Sequence, residues 1–141
     1  FLEIIKPKYL FLGKKDMQQL LLIKKHINKS KIQTKVISCK TIREKNGIAC
    51  STRNKNLTNN QLILASKVFR YLKRRKKTFR KRLSNFNEKL IKEKLKDLGV
   101  SSVDYVQLYN SNSLKKPKSI KEGFNIFFAY YIKNTRLIDN I

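Results

Sequence analysis

Two short stretches of this 141-residue chain concentrate groups that bind anions. The first, Gly13-Lys14-Lys15-Asp16-Met17-Gln18-Gln19, follows the apolar run Tyr9-Leu10-Phe11-Leu12. Glycine has no side chain, so a ligand can approach the backbone closely. A helix starting just beyond it offers free N–H groups and partial positive charge. Lys15 adds a full charge that can reach phosphate oxygens, and Asp16 can accept from a sugar hydroxyl or cap the helix. The second stretch, Cys50-Ser51-Thr52-Arg53-Asn54, comes shortly after Gly47. Its hydroxyls can donate to phosphate oxygens, and its guanidinium can hold them in a bidentate fork. Each stretch alone is a weak signal, because such runs are common in ordinary solvated loops.

The elements that would position these groups can be read from the pattern. Tyr9 to Leu12 reads as a buried strand stopped by Gly13, and Met17 to Lys29 as a helix with Asp16 in the capping position. Leu20, Leu21, Leu22, Ile23 and Ile27 make that helix apolar around much of its girth, which suits packing on a sheet. Thr34 to Cys39 is a second strand, completing a βαβ unit typical of a parallel sheet. Lys40 to Asn54 reads as a connector with a turn at Asn46-Gly47. Thr58 and Gln61 have the spacing of a capping box, predicting a helix with Leu62, Ala65, Phe69 and Leu72 on one face. A further helix is expected over about Arg80 to Leu98, using Leu83, Phe86, Leu90 and Leu98 and ending at Gly99. Val103 to Tyr109, Phe124 to Ile132 and Arg136 to Ile141 read as three antiparallel strands. The expected class is α/β. Residues 1–41 form the end of a Rossmann-like nucleotide-binding domain, and residues 42–141 a small α+β domain of two helices on a three-stranded sheet.

Composition bounds the partners. Lys and Arg number 34 against 9 Asp and Glu, a formal net charge of +25, which suits a polyanion such as nucleic acid or an anionic membrane surface. An AT-rich coding sequence also produces abundant Lys, Asn and Ile with scarce Gly, Pro and Trp, and accounts for the same bias without a partner. The densest charge is Arg70 to Arg82, where Tyr71 and Phe79 are interleaved with the cations. It reads first as a solvated helical face and second as a grip on nucleic acid. Cys39 and Cys50 are too few for a disulfide framework and match no usual zinc spacing, so reduced cytoplasmic thiols are expected. No apolar run approaches the roughly 20 residues of a membrane span, and no metal site is expected. The single histidine, His26, reads as a surface residue.

Four ordered segments resemble the pantoate–β-alanine ligase (pantothenate synthetase) family. Gly13 to Gln19 is similar to that family's G-E-K-D-x-Q-Q, and Thr41 to Asn54 to its T-x-R-E-x-x-G-L-A-x-S-S-R-N. Val103-Asp104-Tyr105-Val106 and Thr135-Arg136-Leu137-Ile138-Asp139-Asn140 also match, in order. The resemblance implies an ATP-dependent, AMP-forming condensation of pantoate with β-alanine through a pantoyl adenylate. It places Gly13, Lys14, Lys15, Asp16, Ile42, Cys50, Ser51, Thr52 and Arg53 on ATP, with Lys15, Ser51, Thr52 and Arg53 as the catalytic groups. Lys15 would meet the phosphates, Asp16 the ribose, the Ile42 backbone the adenine, and Gln19 pantoate. Cys50 to Arg53 would be a mobile KMSKS-like loop, the active site would lie between the two lobes, and magnesium would offset triphosphate charge.

Lys14, Met17, Cys50 and Thr52 depart from the family's usual Glu, aromatic, Met and Ser. The resemblance also implies that the chain corresponds to the C-terminal half only. The family's His-x-Gly-His motif and much of its parallel sheet have no counterpart here, so the chain alone is expected to be inactive. A homodimer is implied for the complete enzyme. The alternative reading is a basic module that reuses this fold to bind nucleic acid or a large assembly. The intact groups at Lys15, Gln19, Ser51 and Arg53 rank the ligase ahead of it.

Overall fold

A computed structural model describes all 141 residues, Phe1 to Ile141. The chain divides into two compact units, Phe1–Thr41 and Ile42–Ile141.

The first unit is a βαβ arrangement. After the short helix α1 (Leu2–Ile5), strand β1 (Tyr9–Gly13) leads through a 3-10 turn (Lys14–Asp16) into helix α2 (Met17–Lys29) and back to strand β2 (Lys35–Cys39). The two strands pair in parallel, from Tyr9 opposite Lys35 to Gly13 opposite Cys39. Thr34 Oγ1 donates to the Pro7 carbonyl at 2.7 Å, tying together the starts of both strands. The girth of α2 is less committed than its composition suggests. Met17, Leu20 and Ile27 are buried, whereas Leu22 is 67% exposed.

The second unit carries most of the core. Helix α3 (Asn59–Phe79) starts from a complete capping box: the Thr58 side chain accepts from Gln61 N–H, and the Gln61 side chain accepts from Thr58 N–H. Its buried face runs through Ala65, Val68, Phe69, Leu72 and Phe79. The next helix is shorter than expected. The 80–98 stretch holds a 3-10 turn (Leu83–Asn85) and then α4, confined to Glu88–Asp97. Asn87 is the reason: its side chain accepts from Leu90 N–H at 3.0 Å and sets the N-terminus there. The buried face is consequently Ile91 and Leu95, while Leu90 is exposed. Gly99, with φ of +109°, ends the helix as expected. Its N–H bonds the Lys96 carbonyl and that of Val100 bonds the Leu95 carbonyl, the paired bonds of a glycine-terminated helix.

Strands β3 (Ser102–Asn110), β4 (Phe124–Ile132) and β5 (Thr135–Asn140) form an antiparallel meander with β4 in the centre. Phe124, Ile126, Phe128, Tyr130 and Ile132 alternate onto the face shared with Val68, Leu72, Phe79, Ile91 and Leu95. Phe127, on the opposite face, is also buried and meets Tyr109 edge-to-face with ring centroids 5.8 Å apart. A register shift between Val103 and Tyr105 sets Asp104 apart from the ladder, and its carboxylate accepts from Arg136 Nε at 2.7 Å. The α/β class, the parallel pair and the two helices with a three-stranded antiparallel sheet agree with the sequence reading.

Lys76, near the end of α3, is half-buried and donates to Asn125 Oδ1 at 2.8 Å. Burial first, and then the Arg80 charge, pulls its pKa down to about 8. Between that value and its ordinary 10.5 the unfolded chain binds more protons than the folded one. Stability from this group therefore rises with pH across the window and is lost as pH falls through about 8. Relative to Lys76→Met, the native chain should gain on the order of 1 kcal/mol between pH 8 and 10 once solvent screening is allowed for. Denaturant titrations of both proteins across that range check this, and parallel stability curves would refute it.

Candidate functional site

The two stretches singled out by their residue types, Gly13–Gln19 and Cys50–Asn54, lie in different units. In the first unit, Gly13 closes β1 with φ of −73°, a conformation open to any residue, and a Cβ built there would meet nothing within 4 Å. The fold does not need glycine at this position, which leaves free space above its backbone. Lys14, Lys15 and Asp16 make the 3-10 turn into α2. Asp16 occupies the N-cap position but makes no side-chain capping bond, contrary to the expectation that it caps. Its carboxylate stands 3.8 Å from Lys15 Nζ instead. The Lys15 side chain is only 16% exposed. Gln19 is exposed in the first turn of α2, and His26 is exposed farther along it.

In the second unit, residues 42–54 form a narrow loop whose shape is tightly specified. Arg43 and Ala49 make an antiparallel bridge, and Cys50 N–H bonds the Ile42 carbonyl at 2.9 Å. The Ile42 side chain is exposed, and one lone pair of its carbonyl is already used by Cys50. The turn closes where Gly47 N–H bonds the Glu44 carbonyl at 2.8 Å, with φ of +92° at Gly47. A Cβ at Gly47 would sit 2.5 Å from the Phe69 ring, so both conformation and space demand glycine.

Arg43 fixes this loop to the sheet. Its guanidinium donates to Asp139 Oδ2 at 2.6 Å and Oδ1 at 3.2 Å, and to the carbonyls of Gly47 and Asn140 at 3.1 Å each. It also lies over the Phe69 ring, 4.6 Å from the centroid. On the far side of the loop, Asn54 Nδ2 donates to Glu44 Oε1 at 2.6 Å and to the Ala49 carbonyl at 3.0 Å. Ser66 Oγ of α3 donates to the Asn46 carbonyl at 2.8 Å.

Cys50, Ser51, Thr52 and Arg53 project from this frame. Ser51 Oγ accepts from Arg53 N–H at 3.3 Å, which begins a 3-10 turn (Thr52–Asn56) and leaves the Ser51 O–H as a donor. Cys50, Thr52 and Arg53 are exposed and Ser51 is half-buried. An open depression of about 610 Å³ is lined by Glu44, Cys50, Ser51, Thr52, Asn54, Lys55 and Leu62. The structure thus groups Cys50, Ser51 and Thr52 around one surface and adds Lys55, a cation the sequence reading did not single out. It also gives roles to Arg43, Glu44 and Asn54. The motif contained them, but their partners could be known only from contacts as distant in sequence as Asp139. No three His, Cys, Asp or Glu side chains gather into a set that could hold a metal ion. No helix is long and apolar enough to cross a membrane.

Comparison with known proteins gives this geometry a context. The family profile "Pantoate-beta-alanine ligase" matches residues 1–141. The pantothenate synthetase of Flavobacterium psychrophilum is 32% identical over 141 residues, covering 99% of this chain and 50% of that protein. That of Francisella tularensis subsp. novicida is 37% identical over 139 residues, covering 99% and 45%. The crystal structure of pantoate-beta-alanine ligase from F. tularensis, complexed with beta-gamma ATP and beta-alanine, superposes with a TM-score of 0.75 at 36% identity, covering 99% of this chain and 45% of that one. A pantothenate synthetase structure from Thermus thermophilus reaches a TM-score of 0.80 at 23% identity, covering 99% of this chain and 51% of that one, a likeness of fold. The chain spans about half the length of the curated relatives it matches.

Two substitutions test the loop's frame. Gly47→Ala should cost about 2–4 kcal/mol from positive φ and overpacking together, read as a fall in melting temperature of roughly 10 °C or more. A fall of under about 2 °C would show that the turn yields freely. Asp139→Asn should cost about 3 kcal/mol by leaving the Arg43 charge without its counter-ion. It should also speed amide hydrogen exchange across residues 42–50, and unchanged exchange there would show that Arg43 does not hold the loop.

Proposed function

The chain belongs to the pantoate-beta-alanine ligase family, and from that membership we propose that its residues serve an ATP-dependent condensation of pantoate with β-alanine. The supporting observation is the match over residues 1–141, together with 36% identity to a ligase whose crystals hold beta-gamma ATP and beta-alanine.

In this reading the pantoate carboxylate attacks the α-phosphorus of ATP. A carboxylate–phosphorus bond forms and pyrophosphate leaves, giving pantoyl adenylate. The amine of β-alanine then attacks the acyl carbon, an amide forms, a proton is released and AMP departs. Negative charge accumulates on phosphate oxygens in the first step, so the chain's task is to place cations and N–H or O–H donors there. Gly13 leaves its backbone open to a phosphate, and Lys15 supplies charge beside the start of α2. Ser51 and Thr52 supply hydroxyls, and Arg53 a bidentate fork, from a loop whose base is pinned by Arg43. Lys14 and Cys50 flank these groups, Asp16 accepts from the ribose, the Ile42 backbone meets adenine, and Gln19 bonds pantoate. A firm base with exposed tip residues suits a loop that closes on bound nucleotide. The family's His-x-Gly-His function has no candidate here, since the only histidine, His26, is exposed on α2. We place the two units as divisions of labour within one ligase, acting in the cytoplasm and dimeric in its complete form.

Calorimetric titration of ATP into the 141-residue chain tests the assignment. Arg53→Ala and Lys15→Ala should each weaken ATP by about tenfold, the worth of one charge-assisted contact, and Ser51→Ala by less. Lys25→Ala, on the exposed side of α2, should leave it unchanged. Equal weakening by Lys25→Ala would reduce the binding to net charge and overturn the site. The same chain given pantoate, β-alanine, ATP and magnesium should form no pantothenate, and ATP-dependent product would show that the histidine motif is dispensable.

A further inference from the structure

A groove between α3 and α4 is lined mainly by cations, and no part of the proposed ligase chemistry uses it. It measures about 610 Å³ and is lined by Lys67, Arg70, Tyr71, Lys73, Arg74 and Lys77 of α3, with Lys94 and Leu98 of α4. No acidic residue lines it, and of its cations only Lys94 has an ion pair, with Asp97 at 3.7 Å. None of the lysines and arginines that α3 contributes to it takes part in an ion pair. Lys67, Arg70, Arg74 and Lys77 recur at three- and four-residue steps, which puts them in one row along the helix with Cβ atoms about 5–6 Å apart. That spacing is of the order of the separation between neighbouring phosphates on one nucleic-acid strand. Tyr71, half-buried in the groove, offers an aromatic ring beside the row.

We propose that this α3–α4 groove binds single-stranded nucleic acid, with the cation row on successive phosphates and Tyr71 stacked on a base. A membrane surface fits less well. Ala65, Val68, Phe69, Leu72 and Phe79 of α3 are buried in the core, and Ile63, 52% exposed, is the one large apolar side chain the helix leaves open, too little to insert beside its cations. A duplex fits less well too, because its bases are stacked away from a ring set in a recess.

The test uses the full chain and a fluorescent 20-nucleotide poly(U) RNA, followed by anisotropy at several salt concentrations. The triple substitution Arg70→Ser, Arg74→Ser, Lys77→Ser should weaken binding at least tenfold and flatten the log–log salt slope by about 2, since each lost phosphate contact on a single strand removes about 0.7. The triple substitution Lys115→Ser, Lys118→Ser, Lys121→Ser removes the same charge from an exposed loop and should change the slope by much less. Tyr71→Leu should weaken RNA severalfold at unchanged slope, while leaving affinity for inorganic polyphosphate unaltered. Melting curves confirm that each variant is folded. Equal losses in the two triple variants would reduce the effect to bulk charge and overturn the proposal. Absence of RNA binding, or preference for phosphatidylserine vesicles over RNA, would overturn it as well.

Discussion

The second unit depends on one charge pair. Arg43 reaches Asp139 across nearly the whole length of the unit in sequence, and the same guanidinium caps the carbonyls of Gly47 and Asn140 and covers the Phe69 ring. The Asp139 side chain is 9% exposed and that of Arg43 24%, so neither charge could stay where it is without the other. This fork fixes where the 42–50 loop sits on α3 and β5. Gly47 can then approach Phe69 closely, and Cys50 to Arg53 can project from a rigid base.

The elements that read most clearly from sequence are those set by local chemistry. Thr58 and Gln61 announce the start of α3 because a capping box needs only four residues. Gly99 announces the end of α4 because positive φ is local. The apolar run Phe124 to Ile132 announces β4, a strand buried on both faces. What misleads is phase. Leu83, Phe86, Leu90 and Leu98 suggest one long helix, but Asn87 starts α4 afresh and turns Ile91 and Leu95 inward. Asp16 has the right type and place for a cap, yet Lys15 competes for its carboxylate. The phosphate-capable residues could be picked out by type. Arg43, Glu44 and Asn54 could not, because their significance lies in partners such as Asp139 that only folding brings near.

The two units differ in how firmly they hold their candidate residues. Parallel strands are ordinarily covered on both faces, whereas β1 leaves Tyr9 47% and Phe11 66% exposed. Met17, Leu20 and Ile27 of α2, with the Thr34–Pro7 bond, supply much of what holds the first unit together. The Gly13–Asp16 turn therefore rests on a lightly buried scaffold, and the Cys50–Arg53 loop on a heavily buried one.

The distribution of acids sharpens the meaning of the charge. The chain has 9 Asp and Glu, and none falls between Glu44 and Glu88. Asp104 and Asp139 are committed to Arg136 and Arg43, where the sheet needs them. Helix α3 thus carries Lys67, Arg70, Lys73, Arg74, Arg75, Lys76 and Lys77 with no acid of its own. Like charges at i,i+4, such as Arg70 with Arg74 and Lys73 with Lys77, each cost a few tenths of a kcal/mol, about 0.2–0.5. At Lys76 burial is the larger cause and the Arg80 charge the smaller, together drawing its pKa down to about 8. The helix persists because its capping box and core face outweigh that repulsion. Mutational drift toward lysine explains abundant cations across a surface. It does not by itself explain why the α3–α4 groove is lined by cations with no acid among them. An anion in the groove would remove a repulsion that the fold otherwise carries.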